Sequence, residues 1–416
     1  MVPSGWEVKL LGSLTNKIGS GKTPKGGSST YQSYGIPLIR SQNVLWGSLD
    51  LSDVAYIDEE QHQSMKNSSV SEFDVLLNIT GASIGRVAIS TLKEANVNQH
   101  VCIIRPKKIL DNNFLKYNLL SFEGQKQIER FQAGGNRQGL NFEQIKSFKI
   151  MLPPLPEQQK IAKILTTWDK AINTTQRLIE NSKQQKKALM QQLLTGQKRL
   201  LDDSGQRFSG DWEEVQLKTV LDLMKSGLSR KLENNNIGIA VIRSNNMGPK
   251  YTTDSELKYW YLEDPQGANV SNYILDDGDL LVNFINSLSQ IGKACIYKKI
   301  NNTEAIYTTN ILRIKPNLSR IDPVYLYLVT QTSKYDSYIT SITKPAVNQA
   351  SFTTKDFGNY LFDLPSLKEQ QKIAAVLTNA DREIEVLEQQ LADLQQEKKA
   401  LMQQLLIGKK RVLVDL

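Results

Sequence analysis

Several groups of residues in this 416-residue chain have types and spacing that invite chemistry. IGSGKT at 18–23 is like the end of a phosphate-binding loop. The full pattern needs a glycine with four residues between it and Gly21, and Asn16 holds that position. LDDGDLL at 275–281 clusters three carboxylates, but metal-dependent nuclease chemistry also wants a nearby lysine on a strand, which is absent. Asp277-Gly278 suits a hairpin turn instead. LPPL at 152–155 lacks the leading Asn or Asp and the closing aromatic of an adenine-methylating motif, and no glycine-rich methyl-donor loop is present. His62, His100, Cys102 and Cys295 have no zinc-ligand spacing. These residues assemble no catalytic constellation, no metal site and no cofactor site.

Polar residues suited to DNA are more plentiful. Arg pairs bidentately with guanine, and Asn or Gln with adenine, in the major groove. Arg40, Gln42 and Asn43 recur as Arg243, Asn245 and Asn246. The loops GGNRQGLNF and KPAVNQASF correspond, offering Asn136, Arg137 and Gln138 in one and Lys344, Asn348 and Gln349 in the other. Gly21, Lys22, Thr23 and Lys25 supply backbone N–H, hydroxyl and ammonium donors for phosphate. The second copy of that turn, KSGLSRKL, supplies Ser226, Arg230 and Lys231. Any one of these is more simply a solvated loop residue, and the repeated placement speaks for the set. The net charge of +8 permits polyanion binding without requiring it. Over 210–363 the 16 basic and 17 acidic side chains nearly cancel.

The elements that must position these groups are repeated. Residues 157–199 and 369–411 match in register without a gap, and KKALMQQLL occurs twice verbatim. Weaker echoes extend outward, such as GIPLIRSQNV with GIAVIRSNNM. The order is therefore globule, helix, globule, helix. The first helix places Ile161, Leu165, Trp168, Ile172, Ile179, Leu189 and Leu193 on a heptad frame that also passes through Thr175, Ser182 and Lys186. The second places Ile373, Leu377, Ile384, Leu387, Leu391, Leu394, Leu401 and Leu405 there, with Ala380 and Lys398. Such a seam marks a coiled coil. Pro156 suits a helix start, Ser366 with Glu369 suits a capping box, and Gly196 and Gly408 suit helix stops. Helices of that length span about 57 Å, too long for one domain of this size to bury. Antiparallel pairing is expected, with Lys186 and Lys398 setting register.

Each globule alternates short β-rich runs with Gly, Asn and Ser turns, followed by a short helical stretch. The fold class is thus α+β: two domains with curved, largely antiparallel sheets, separated by two long helices in an antiparallel coiled coil, with a pseudo-two-fold repeat. The boundaries fall at 1–152, 153–200, 201–364 and 365–416. No run of eighteen apolar residues and no signal-peptide pattern is present, so a cytoplasmic location is expected.

LPPLPEQQKIA and LPSLKEQQKIA, each leading a repeated helix that ends LLTG or LLIG, resemble the DNA-specificity subunit of type I restriction-modification systems. The resemblance covers the whole chain. It implies two target-recognition domains, each reading one half of a split double-stranded DNA site, and helices that set the spacer. It implies a non-catalytic subunit that binds two methyltransferase subunits and two motor-nuclease subunits. S-adenosylmethionine, ATP and Mg would sit on those partners, with none on this chain. Two alternatives compete with it. A free-standing modification or restriction enzyme lacks support from any motif here. A coiled-coil scaffold, or a related restriction subunit that does not itself read DNA, leaves the paired Arg-Ser-x-Asn element unexplained, and a scaffold would show no salt-dependent DNA binding.

Overall fold

The computed structural model describes residues 2–132, 139–300, 303–347 and 349–413. The chain packs as two units, Met1–Leu178 with Glu388–Leu416, and Ile179–Leu387. The boundary falls inside both long helices, Leu155–Leu194 and Leu367–Leu405. Each unit therefore holds one globule and half of each helix. The helical halves share cores with the globules within each unit.

In unit 1 the strands Thr15–Ser20, Val101–Pro106, Val75–Asn78 and Val87–Ile89 form an antiparallel sheet in that spatial order. A second sheet orders Ala55–Ile57, Ile36–Ile39, Ala95–Val97 and Ser69–Val70, with its middle pair parallel. Val75–Asn78 is buried along its whole length, which accounts for its unbroken VLLN run. Glu7–Leu10 pairs with Lys149–Leu152, the strand that feeds the first long helix. Unit 2 repeats the plan. Leu221–Ser226, Ile311–Pro316, Leu280–Asn283 and Ala294–Ile296 form the antiparallel sheet. Ile239–Ile242 lies parallel to Ala305–Tyr307, and Glu213–Gln216 pairs with Leu361–Leu364.

Each unit's largest core includes both helical halves. In unit 1, Ile161 and Leu165 share it with Leu405, Leu406, Phe114 and Leu77. In unit 2, Ile373 and Leu377 share it with Leu193, Leu194, Tyr325 and Leu280. Every position on the heptad frame, Thr175, Ser182, Lys186 and Lys398 included, is buried or half-buried. Within each unit the helical halves run antiparallel. Lys398 pairs with Asp169 in unit 1, and Lys186 pairs with Asp381 in unit 2. The two off-pattern lysines thus find a carboxylate on the facing helix, a charge match that specifies one register.

The repeated Glu-Gln that opens each helix has a separate task for each side chain. Gln158 Oε1 accepts from Asp111 N at 2.9 Å, and Nε2 donates to the carbonyls of Ile109 and Pro153. Gln370 makes the same three bonds to Asp322, Arg320 and Pro365. Both amides tie a helix start to its own globule. Glu157 is 2% exposed and receives Arg411 Nε at 2.7 Å and Nη2 at 2.8 Å, with Trp6 Nε1 at 3.1 Å. Glu369 is 1% exposed and receives Arg199 at 2.6 and 2.7 Å, with Trp212 Nε1 at 3.2 Å. In each clamp the carboxylate opens one helix and the guanidinium follows the end of the other. The capping box expected at Ser366 is therefore only half formed. Ser366 Oγ accepts from Glu369 N at 3.4 Å, while the Glu369 side chain is drawn away to Arg199. Gly196 and Gly408 end the helices with φ of +71° and +67°, as left-handed caps.

Replacing Arg199 by Ala leaves a buried carboxylate with its charge uncompensated, and is expected to cost about 3–5 kcal/mol. Lys372→Ala removes an exposed pair with Asp203 and is expected to cost under about 0.5 kcal/mol. Urea unfolding of the two variants checks the difference.

Candidate nucleic-acid interface

The Arg-Ser-x-Asn element forms the same 3-10 turn twice. Asn43 is 3% exposed and Asn246 is fully buried. Asn43 Oδ1 accepts from Arg40 N at 2.9 Å, and its Nδ2 donates to the carbonyls of Asp50 and Asp53. Asn246 accepts from Arg243 N at 3.0 Å and donates to Ser255 O and Thr253 O. Both carboxamides are used up inside the turn, which corrects their assignment as base readers. Arg40 and Arg243 are also turned inward. Arg40 Nη2 donates to Asp53 O at 2.8 Å, and Arg243 Nη2 to Glu256 O at 2.6 Å. The residues presented to solvent are the middle ones. Gln42 is exposed with its amide on the Asp53 carboxylate, and Asn245 is exposed with no side-chain bond among the described residues.

The glycine-lysine turn of unit 1 splits similarly. Gly21 N donates to Asn98 O at 3.2 Å, and a Cβ there would lie 1.6 Å from Val97 O. Glycine serves the close backbone approach, and its N–H is not free for phosphate. Thr23 Oγ1 donates to Gln99 Oε1 at 2.7 Å, so that hydroxyl is engaged too. Lys22 and Lys25 are exposed and form no ion pair among the described residues. Lys22 borders a hollow of about 230 Å³ together with Lys66, Ser20 and Ser64. Lys66 lies in a different stretch of sequence, and no motif had marked it.

In unit 2 the corresponding turn keeps the backbone feature and changes the charge. A Cβ at Gly227 would lie 2.1 Å from Tyr307 O. Ser226 is half-buried at a strand end opposite Leu312. Arg230 grips the Asp264 carboxylate, with Nη2 at 2.5 Å and Nε at 3.1 Å. That guanidinium, with backbone N–H groups of Gln266 and Ala268, holds the Asp264 carboxyl well below the usual range. Arg230 is thus engaged in an ion pair with Asp264, and Lys231 remains exposed.

The carboxylates of LDDGDLL are also structural. Arg313 donates to Asp279 at 2.6 Å and to Asp276 at 2.9 Å, and Lys315 reaches Asp276 at 2.7 Å. Arg105 with Asp74 is the counterpart in unit 1. Among the described residues no group of His, Cys, Asp and Glu can hold a metal ion. Cys102 and Cys295 are buried free thiols, each pushed up to about 12 by desolvation.

Asn136, Arg137, Gln138 and Asn348 lie outside the described residues. Lys344 is exposed in a two-residue strand, Lys344–Pro345, which pairs with Ala350–Ser351; that strand pairs in turn with Ile285–Asn286. Gln349 is exposed beside it. Pro345 and Ser244 line one cleft of about 1020 Å³ in unit 2. Two motifs a hundred residues apart in the chain are thereby brought to a common site.

Asn246→Ala strips the turn of three hydrogen bonds and is expected to cost about 1–3 kcal/mol of stability. Asn245→Ala is expected to leave stability within about 0.5 kcal/mol and to act on ligand binding alone. Thermal denaturation of both variants separates the two roles.

Residues 3–182 and 209–396 match the type I restriction modification DNA specificity domain. The MjaVIII specificity subunit of Methanocaldococcus jannaschii is 27% identical over 427 residues, covering 99% of this chain and 94% of that one. The EcoKI specificity subunit of Escherichia coli is 22% identical over 383 residues, covering 89% and 81%. Another relative in M. jannaschii is 32% identical over 198 residues, about half of each chain. Among solved structures, the HsdS subunit from Thermoanaerobacter tengcongensis shares the fold at a TM-score of 0.53 and 18% identity, covering 98% of both chains. A chain from a study of complex assembly of the type I R-M system does so at 0.60 and 18%, covering 99% of this chain and 100% of its own. With both halves of its repeat matched, the chain belongs to the type I restriction-modification DNA-specificity family.

Proposed function

We propose that this chain is the non-catalytic subunit that gives a type I restriction-modification complex its sequence specificity. Each unit reads one half of an asymmetric, bipartite duplex site. The observation that carries this reading is a duplicated frame bearing unlike surfaces. The clamps, the glutamine ties and the cross-helix ion pairs recur residue for residue, whereas Arg230 is neutralised in one unit and Lys22 stands open in the other. Identical frames suit two identical partners; different surfaces suit two different base sequences.

The long helices set the spacer between the half-sites. They also dock two methyltransferase subunits. Lys187, Gln191 and Gln192 recur as Lys399, Gln403 and Gln404, all exposed, and the packing inside each unit gives no reason for their repetition. Two motor-nuclease subunits complete the restriction complex in the cytoplasm. S-adenosylmethionine, ATP and Mg belong to those partners, and this chain supplies shape, phosphate contacts and base contacts.

Exchanging residues 210–363 for the corresponding domain of another family member tests the modular reading. Mapping of N6-methyladenine in host DNA is expected to show one half-site changed, with the other half and the spacer unchanged. A change in both halves contradicts it.

A further inference from the structure

The four-stranded antiparallel sheets of the two globules align strand for strand, and the alignment isolates a place where the globules differ. Asn78 ends its strand opposite Val101, and Asn283 ends the equivalent strand opposite Ile311. Both side chains are buried. In unit 1 Asn78 Nδ2 donates to Ser41 O at 2.8 Å and to Val44 O at 3.4 Å, which ties the turn down onto the sheet. Among the described residues Asn283 makes no such bond to the matching turn. Its Oδ1 accepts from Asn286 at 3.2 Å instead. Asn283, Ser244 and Met247 all line the 1020 Å³ cleft.

A second difference widens the same place. The segment between Asn283 and Gly292 is two residues longer than that between Asn78 and Gly85. In unit 1 Gln125 donates to Gly85 O at 3.0 Å, while in unit 2 the buried Tyr335 hydroxyl takes Gly292 O at 2.8 Å. The longer segment carries Gln290, followed by Lys293, and both are exposed on the cleft. Neither side chain has a hydrogen bond or ion pair among the described residues. Polar groups without a partner among the described residues, at a cleft where the sister unit instead ties its turn to the sheet, are poised for an outside ligand.

We propose that this cleft is the base-reading site of unit 2, with Gln290 and Lys293 as specificity-determining residues that contact base edges of its half-site. The carboxamide of Gln290 can pair with an adenine edge, and the Lys293 ammonium with guanine O6 and N7. Lys344 and Asn245, which neighbour the cleft-lining Pro345 and Ser244, supply phosphate and further polar contacts. This rests on the DNA-reading function proposed above. Neither residue was marked by sequence: Gln290 stands where the first repeat has Ser83, and Lys293 where it has Arg86, as the matching backbone hydrogen bonds show.

The full-length chain carrying Gln290→Ala and Lys293→Ala, co-expressed with the methyltransferase of its system, tests the assignment by motif mapping. Both substitutions are exposed, so the complex is expected to assemble. The expected result is a motif that becomes degenerate at one to three adjacent positions of one half-site, with discrimination there reduced about 5- to 100-fold per lost contact. An unchanged motif, or equal relaxation in both halves, overturns the cleft assignment. Should methylation fall too low to map, the purified complex is titrated with duplexes substituted at each base pair of that half-site. Discrimination lost at adjacent pairs supports the site, and discrimination equal to wild type at every pair overturns it. A wild-type complex without any split motif sinks the DNA-reading function itself, which keeps the two failures apart.

Discussion

A buried carboxylate held by an indole and a forked guanidinium is the interaction on which the rest of this structure depends. Glu157 and Glu369 open the two long helices, and Arg411 and Arg199 follow the ends of the opposite ones. A guanidinium can grip a carboxylate bidentately only where the two helices meet in one register. Unpaired, either glutamate would be a buried charge at a cost of several kcal/mol. The clamp therefore demands that the end of one helix lie beside the start of the other. Antiparallel packing in each unit, the pairing of Asp169 with Lys398 and of Asp381 with Lys186, and the shared apolar cores all agree with that demand.

A frame secured this way leaves the globule surfaces free to differ. The buried turn asparagines, the Gln158 and Gln370 ties and the Arg105 and Arg313 ion pairs hold the same backbone in both units. Outside that shared set, unit 1 presents exposed Lys22, Lys25 and Lys66 without an ion pair among the described residues, whereas unit 2 neutralises Arg230 and opens a cleft. The near-zero charge of the second globule fits this contrast. On the proposed reading, its contacts draw on hydrogen-bonding side chains as well as cations, the kind of group that base reading requires.

Much of the frame was legible in the sequence, because it rests on period and repetition. The heptad positions, the left-handed glycine caps and the duplicated plan all follow from spacing and repetition. The site was less legible, and the reason is physical. Asn43 and Asn246 have a side chain that reads adenine and also satisfies a tight turn, and only burial tells these uses apart. Arg230 looks like a free cation until Asp264, 34 residues away, is folded against it. Glu369 has the spacing of a capping box, yet Arg199 competes for its carboxylate from the other helix. Lys66 sits in no repeated motif and Gln290 in a weakly echoed stretch of unequal length, and only the fold brings them to Lys22 and Ser244.

The central claim is that two dissimilar reading surfaces sit on one duplicated frame. The most direct measurement is to sequence N6-methyladenine in the DNA of a host expressing this chain with its methyltransferase. The account predicts one motif in two unlike halves separated by a fixed run of unspecified bases, methylated on both strands and dependent on this chain. A continuous motif, or two identical inverted halves, would contradict it.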